Sequence, residues 1–155
     1  MAISNSLIQT QWVRDSFKGV IAPKIGAASG PDALYCALFL SSTAVSQDTD
    51  PATYGVTPYT SGSEVTGTNW LAGGVALTSP TCTLVAGVGV QIGAGNVSVA
   101  STTLSNVYAC LVYDNTLSPK AALILVDFGQ NYATTNGTFG ITWSGSGIAQ
   151  IQLHP

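Results

Sequence analysis

Two facing carboxylates are the usual catalytic arrangement for glycoside hydrolysis, and Asp114 and Asp127 are the first candidates for such a pair. They lie at the far ends of two apolar runs that we expect to form successive antiparallel strands. At ~3.3 Å per residue this places them roughly 20 Å apart, whereas the reaction needs carboxylates about 5 to 9.5 Å apart. Glu64 is the only glutamate of the chain, so carboxylate-pair catalysis is not expected.

Nucleophilic catalysis needs a base beside a serine or cysteine, and the chain has one histidine, His154. It stands next to the last residue in a tail that we expect to be frayed, so a Ser/His/Asp or Cys/His arrangement is not predicted. Cys36, Cys82 and Cys110 are widely spaced and contain no CxxC pair. We interpret them as small buried hydrophobic residues rather than a disulfide framework, a zinc site or reactive thiols. The sequence therefore predicts a protein that is not an enzyme.

Two further patterns have only part of what a ligand site needs. Asp48 and Asp50 offer oxygens for calcium, but the further acids and the distal glutamate of a calcium loop are missing. The glycines of residues 87–95 fall at 87, 89, 93 and 95, which is not the GxGxxG spacing of a dinucleotide-binding loop. We therefore expect solvated loop acids and a strand with a turn, and we predict no metal and no cofactor.

The chain carries little charge for its 155 residues. Four Lys and Arg against seven acids give a net charge of -3, so the basic surface that nucleic-acid binding requires is missing. No residue between Glu64 and Asp114 is charged, and 16 Ser, 18 Thr and 17 Gly make up 51 of the 155 residues. Because interface cores are depleted in charged residues, we expect obligate assembly; a monomer with a hydroxyl-rich surface is the alternative.

Neither a membrane span nor a leader is predicted. The longest unbroken apolar runs, residues 33–40 and 107–113, are far shorter than the ~18 residues of a spanning helix. The first residues lack a basic stretch followed by an apolar block and a small-residue cleavage site. We expect the protein to fold in a cytoplasm.

Residues 1–31 are predicted to form an N-terminal arm with a short helix and a linker. Ser4 is a candidate helix cap, and Trp12 and Phe17 belong to a set of apolar residues that recur at three- and four-residue steps. The helix should stop at Gly19 or shortly after it, before the first proline. Trp12 and Phe17 either pack on the core of the same chain or dock on a neighbour, and the sequence leaves both alternatives open.

Residues 32–155 are predicted to form a β-sandwich domain. The runs 33–40, 107–113 and 121–126 are apolar at nearly every position, which indicates strands that are covered on both faces.

A long loop is predicted at residues 41–63, where Ser, Thr, Pro, Asp and Gly dominate. It is longer than an ordinary connection within a compact domain, and such loops are usually functional or flexible. Tyr54 and Tyr59 are candidate contact residues in it, because an amphipathic ring on an exposed loop is a common anchor.

Alternating apolar and polar residues from Glu64 onward predict further short strands joined by Gly, Ser and Asn turns. The clearest hairpin is expected near the C-terminal end, with strands at 138–143 and 149–153 around SGSG at 144–147. Seven or eight such strands predict an all-β fold, an antiparallel β-sandwich or jelly-roll-like barrel with a short N-terminal helix or arm. Strand edges with so few charges are expected to be covered by partner subunits.

Three segments resemble a group of small structural proteins of tailed bacteriophages. They are LYCALFLSS at 34–42, GSEVTGTNWLAGGVAL at 62–77 and NVYACLVYDNTLSPKAALILVDFG at 106–129, in this order after a short N-terminal segment. The resemblance covers roughly residues 34–143. It rests on an LY-x-ALF strand, a G-x-EV-x-G-x-x-W segment and a YD-N-T turn before an apolar strand that ends in DFG. These motifs are structural, so the resemblance assigns no functional residue.

The resemblance implies a virion component, above all a capsid decoration or cement protein on the capsid surface, assembled in the host cytoplasm. The expected partners are the major capsid protein and further copies of the chain in a closed cyclic homo-oligomer such as a trimer. We predict that the partner contacts are made by Trp12, Arg14, Phe17, Tyr54 and Tyr59.

The alternative is a tail, head-to-tail connector or fibre-type subunit of the virion. A fibre tip would bind a glycan or a receptor, with Trp70, Trp143 and the loop tyrosines stacking on sugars. The low aromatic content of 8% favours the decoration protein.

Overall fold

The computed structural model describes residues 6–43 and 45–152, and in these ranges the chain forms nine strands and one helix. The helix and strands are β1 (Leu7–Ile8), α1 (Thr10–Phe17), β2 (Leu34–Phe39), β3 (Glu64–Val65), β4 (Val75–Ala76), β5 (Thr81–Val85), β6 (Gly89–Gly93), β7 (Val97–Asp114), β8 (Ala122–Ile141) and β9 (Ala149–Gln152). All strand pairs are antiparallel, so the prediction of an all-β fold with a short N-terminal helix is confirmed. The predicted cap Ser4 and the histidine His154 lie outside the described residues.

The strands form two sheets that share a core. The larger sheet has the order β1-β8-β7-β2-β3, with β4 also paired to β2, and the smaller sheet has the order β5-β6-β9. Cys36 of β2 is the cross-strand neighbour of Val112 of β7. Both lie in one apolar cluster with Ile92 of β6, so the smaller sheet packs on one face of the larger one.

The centre of the larger sheet is buried on both faces, as the apolar run of β2 predicts. Leu34, Cys36 and Leu38 point into the core shared with the small sheet. Ala37 and Phe39 point to the opposite face, where they form a second apolar cluster. The cover of this second face is the loop at 41–63, which contributes Ala52 and Tyr59 to the cluster.

The helix α1 begins after Gln9, which makes no side-chain capping hydrogen bond. It ends where the sequence predicts, because Gly19 takes a left-handed conformation with φ of 68° that favours glycine. Trp12 packs against the shared core, so α1 lies on the sheets and helps to close that core.

The two longest strands differ from the short strands that the sequence predicts. β7 and β8 have 18 and 20 residues and stay paired from Val97 opposite Ile141 to Tyr113 opposite Ala122. The register shifts five times along this hairpin, and Gly129 has a positive φ. Small and polar residues that signal turns in the sequence therefore lie within a bulged hairpin, which bends without ending.

The predicted C-terminal hairpin is wrong. Phe139 of β8 pairs with Val99 of β7, whereas Ile151 of β9 pairs with Val90 of β6 in the other sheet. The turn at SGSG does form, with Gly147 N donating to Ser144 O at 2.9 Å, but it carries the chain from one sheet to the other. Apolar alternation fixes which face of a strand is buried but not which neighbour it pairs with.

Candidate functional site

Trp12 belongs to the core of its own chain. Its indole Nε1 donates a hydrogen bond to Leu123 O of β8 at 2.9 Å, and its ring is partly buried against the shared core. Of the two alternatives that the sequence leaves open for Trp12, the structure therefore favours packing within the chain.

Arg14 joins α1 to the long loop. Its guanidinium donates to Asp15 Oδ1 at 2.7 Å and to Asp50 Oδ2 at 2.8 Å. The hydrogen bond from Arg14 lowers the pKa of the Asp15 carboxyl, and both acids raise the pKa of Arg14. The side chains of Arg14 and Asp50 are about half exposed. We therefore infer that this ion pair positions the loop against α1 and contributes little to the free energy of unfolding.

The loop tyrosines hold the loop 41–63 on the sheet. Tyr59 is fully buried, its ring edge-on to Phe39 at a centroid distance of 5.6 Å, and its hydroxyl accepts a hydrogen bond from Gln9 Nε2. Tyr54 is half-buried and stacks on Tyr113 at a centroid distance of 4.3 Å. The expectation of exposed anchor rings is therefore wrong for Tyr59, because the ring completes the core under the loop.

Glu64 also helps to hold the loop 41–63 on the sheet. Its Oε2 accepts a hydrogen bond from the Tyr54 hydroxyl at 2.8 Å, and its Oε1 accepts one from Gly73 N at 2.7 Å. The Tyr113 hydroxyl donates to Gly73 O at 2.8 Å. Burial, together with the Glu64 carboxylate, raises the pKa of the Tyr54 phenol. Glu64 thus connects β3 to the loop that contains Tyr54 and to the turn at Gly73, and both of its carboxylate oxygens accept hydrogen bonds within the chain.

Phe17, at the end of α1, is the predicted contact residue that remains free, with 89% of its surface exposed. It lies beside an apolar groove between α1 and the smaller sheet, which we call the helix–sheet groove. The groove has a volume of about 240 Å³ and is lined by Trp12, Val13, Ser16, Phe17, Pro23, Ile25, Cys82, Val90, Ile92 and Ile151. No charged side chain lines it.

The strand β5 continues this apolar surface at the edge of the smaller sheet. Leu84 is 86% exposed and is the cross-strand neighbour of Val90, so both side chains lie on the same face. Cys82 is exposed as well, which corrects the expectation that all three cysteines are buried. Among the described residues β5 pairs with β6 alone, and its outer edge carries no charge to oppose a further strand.

A pair of buried acids escaped the sequence analysis. Asp114 is fully buried, and its Oδ1 accepts hydrogen bonds from Thr116 N and Leu117 N at 2.9 and 3.2 Å. Asp32 is buried as well and lies close enough to act on the Asp114 carboxyl. Burial, and secondarily Asp32, raises the pKa of Asp114 to about 6. No sequence signal links two residues so far apart, and their burial indicates a structural pair.

A second cleft, which we call the aromatic cleft, lies along the outer part of β8 and the segment that follows it. It has a volume of about 390 Å³, and its lining includes Phe128, Tyr132, Phe139 and Trp143. Sequence analysis missed this cluster because Phe128 and Trp143 are distant along the chain and meet only through the bend of β8. Trp70, the other candidate for sugar stacking, is fully buried and packs edge-on against Phe139.

Within residues 6–43 and 45–152, no group of three or more His, Cys, Asp and Glu side chains lies in a metal-binding arrangement. Asp127 is the cross-strand neighbour of Ala109, five residues along β7 from Asp114, which corresponds to roughly 17 Å. The two acids that the sequence offers for hydrolysis are thus not brought together.

No family model, curated protein or solved structure matches the chain. The described part of the chain contains no helix of the length and apolarity needed to cross a membrane.

Proposed function

We propose that this protein is a non-enzymatic structural component of a tailed-bacteriophage virion, a decoration or cement protein that binds the outside of the capsid. The observation that carries the proposal is the uncharged apolar surface formed by the helix–sheet groove and by the edge of β5 that pairs with no other strand in the described part of the chain. Phe17 and Leu84 are almost fully exposed on it. The resemblance of residues 34–143 to small phage structural proteins supports the same class.

Two kinds of contact are available on this surface. The groove accepts apolar side chains, and burying a Phe or Leu side chain gains about 1.5–3 kcal/mol. The edge of β5 offers backbone groups to a strand from another subunit, which is a common way of joining two chains. Both contacts form without desolvating a charge, because neither β5 nor the groove lining contains a charged side chain.

In this proposal the protein acts without catalysis, by adding contacts between capsid subunits. Copies of the chain associate into a closed homo-oligomer through one of these contacts and bind the major capsid protein through the other. Bridging adjacent capsid subunits adds contacts that must break before the shell opens, so the bound protein raises the resistance of the shell to heat and internal pressure. The buried sheet and the fastened loop supply a rigid body for this purpose.

Replacing Phe17 and Leu84 together by serine is expected to abolish self-association and shell binding while the chain stays folded. Each lost apolar contact should weaken binding about tenfold or more, because every 1.4 kcal/mol corresponds to a factor of about ten. The measurement is co-sedimentation with shells that lack the protein, together with the sedimentation coefficient of the free chain. Point substitutions are preferred to deletion of α1, since Trp12 and β1 contribute to the core.

The matched control is Leu71→Ser, which removes another exposed leucine, 72% accessible, that does not line the groove. This variant should bind shells like the unaltered chain. Equal binding by the double variant would overturn the assigned surface.

The copy number in purified virions, from quantitative mass spectrometry, separates a decoration protein from a tail or connector subunit. A decoration protein should be nearly stoichiometric with the major shell protein. A few copies per particle would indicate a tail or connector part, and absence from the particle would overturn the proposal.

A further inference from the structure

We propose that the aromatic cleft is a binding site for a neutral saccharide. This inference does not depend on the assignment to a virion, because it rests on a different surface from the helix–sheet groove. The cleft is open to solvent, and its volume of about 390 Å³ is within the ordinary range for small-ligand sites.

The cleft exists because β8 bends. Phe128 lies near the middle of β8 and Phe139 near its end, yet both rings line the same cavity. Between them Gly129 and Asn136 adopt positive φ angles of 74° and 48°. Bulges of this kind bend a strand and redirect its side chains, and they are common next to binding sites.

The rings are held before any ligand arrives. Phe128 and Tyr132 stand edge to face at 88° with their centroids 6.0 Å apart. Trp143 is anchored twice: its Nε1 donates to Gly95 O at 3.0 Å, and its backbone N donates to Asn96 Oδ1 at 3.1 Å. Its indole N–H is therefore occupied, and the part of its ring that the core leaves uncovered is available for apolar contact. Tyr132 is 43% exposed and provides a ring that a ligand can cover.

The lining defines the chemistry of the ligand. The four aromatic residues line the cleft together with Thr142 and Ser144, and the lining contains no ionisable group other than the Tyr132 phenol. A ligand must therefore be uncharged, with an apolar face for the rings and hydrogen-bonding groups around its edge. A pyranose ring has this form, because its axial C–H groups make an apolar face and its hydroxyls lie at the perimeter. A nucleotide would bring phosphate charge to a site without a basic residue.

The test is a titration of the ¹⁵N-labelled full chain with neutral sugars, followed by amide chemical shifts. The probes are glucose, galactose, N-acetylglucosamine and cellobiose, taken into the millimolar range because small ligands bind weakly. We expect saturable shifts for at least one of them, confined to the amides of Phe128, Tyr132 and residues 139–144. Glucuronate, which carries a charge, should bind more weakly than glucose.

The variant Tyr132→Ala should weaken sugar binding about tenfold, or about 1.4 kcal/mol, because it removes the exposed ring that the sugar covers. Trp143→Phe keeps a ring and should reduce binding less than Trp143→Leu. Leu71→Ser, which removes an exposed apolar side chain outside both the cleft and the helix–sheet groove, is the control and should leave the affinity unchanged. Absence of saturable shifts with all four neutral sugars would overturn the proposal, and so would shifts that Tyr132→Ala leaves intact. Shifts in the same amides that depend on protein concentration alone would assign the cleft to contacts between copies of the chain.

Discussion

Replacing Tyr59 by alanine is expected to lower the free energy of unfolding by about 3–5 kcal/mol, the range for removing a large aromatic ring from a core. Tyr59 is fully buried under the loop 41–63 and packs edge-on against Phe39 of the interior strand β2. Removing the ring leaves a cavity between loop and sheet and takes away the hydrogen-bond partner of Gln9 Nε2. Since a domain of this size is stable by about 5–15 kcal/mol, the variant should be close to unfolding. Urea denaturation monitored by circular dichroism measures the change.

Two control variants test whether the loss of stability comes from the buried ring, from its hydroxyl group or from the removal of any tyrosine. Tyr59→Phe keeps the ring and should lose about 1–3 kcal/mol, because the buried Gln9 Nε2 loses its acceptor. Tyr132→Ala removes an equal ring from a partly exposed position and should change stability by much less than Tyr59→Ala. A Tyr59→Ala variant as stable as the unaltered chain would contradict the core role and restore Tyr59 as a surface contact.

The sequence predicted β2 correctly but not the burial of Tyr59, and this contrast shows which parts of the fold follow from local sequence. The run around Leu34 to Phe39 predicts a strand with two covered faces because its apolar residues occupy nearly every position. The sequence does not say what covers those faces, since the small sheet and the loop are distant in the chain. Tyr59 lies among Pro, Thr, Ser and Gly residues, which correctly indicate a loop but contain no sign that the loop packs down.

The sequence also did not predict which strand pairs with which. Residues 149–153 alternate as a strand should, and β9 forms at Ala149–Gln152, but its partner is β6 and not the segment before the turn. Short connections favour pairing between neighbours, and the SGSG turn satisfied that expectation. Covering the shared core with a second sheet outweighed it, because β9 places Ala149 against that core.

The two candidate surfaces were only partly predictable, because their residues come from segments that only strand pairing and strand bending bring together. Phe17 was a candidate from the helical spacing of its own segment, and it is exposed as a docking residue requires. The rest of the helix–sheet groove comes from Cys82, Val90 and Ile151, which reach Phe17 only through the sheet pairing. The aromatic cleft likewise depends on the bulges of β8, which have no reliable signature in a single sequence.

The variant Asp114→Asn is expected to be more stable than the unaltered chain at pH 7.5 by about 2 kcal/mol and equally stable near pH 4. Asp114 is fully buried, and burial with the neighbouring Asp32 carboxyl raises its pKa from 3.8 to about 6. A carboxyl whose pKa is raised by folding favours the folded state while it is protonated. Its contribution is complete below pH 3.8 and is lost as the pH rises through about 6.

Asparagine should keep the favourable contacts and remove the unfavourable charge. Its side-chain oxygen can still accept from Thr116 N and Leu117 N, as Asp114 Oδ1 does at 2.9 and 3.2 Å. Its amide can donate to the Asp32 carboxyl, which also accepts from Lys24 N at 2.6 Å. The variant therefore resembles the protonated state of the pair at every pH. Two raised pKa units correspond to about 2–3 kcal/mol above pH 6.

The measurement is the free energy of unfolding of both chains between pH 4 and pH 8. Comparing the two chains cancels other titrating groups such as Asp15, whose pKa is lowered by Arg14 and which loses its stabilising effect only at lower pH. Asp48→Asn is the matched control because Asp48 is exposed; it removes the same charge from the surface and should not raise the free energy of unfolding at pH 7.5. A difference for Asp114→Asn that does not vary with pH would contradict the prediction. The backbone hydrogen bonds from Thr116 N and Leu117 N would then outweigh the cost of burying the Asp114 charge.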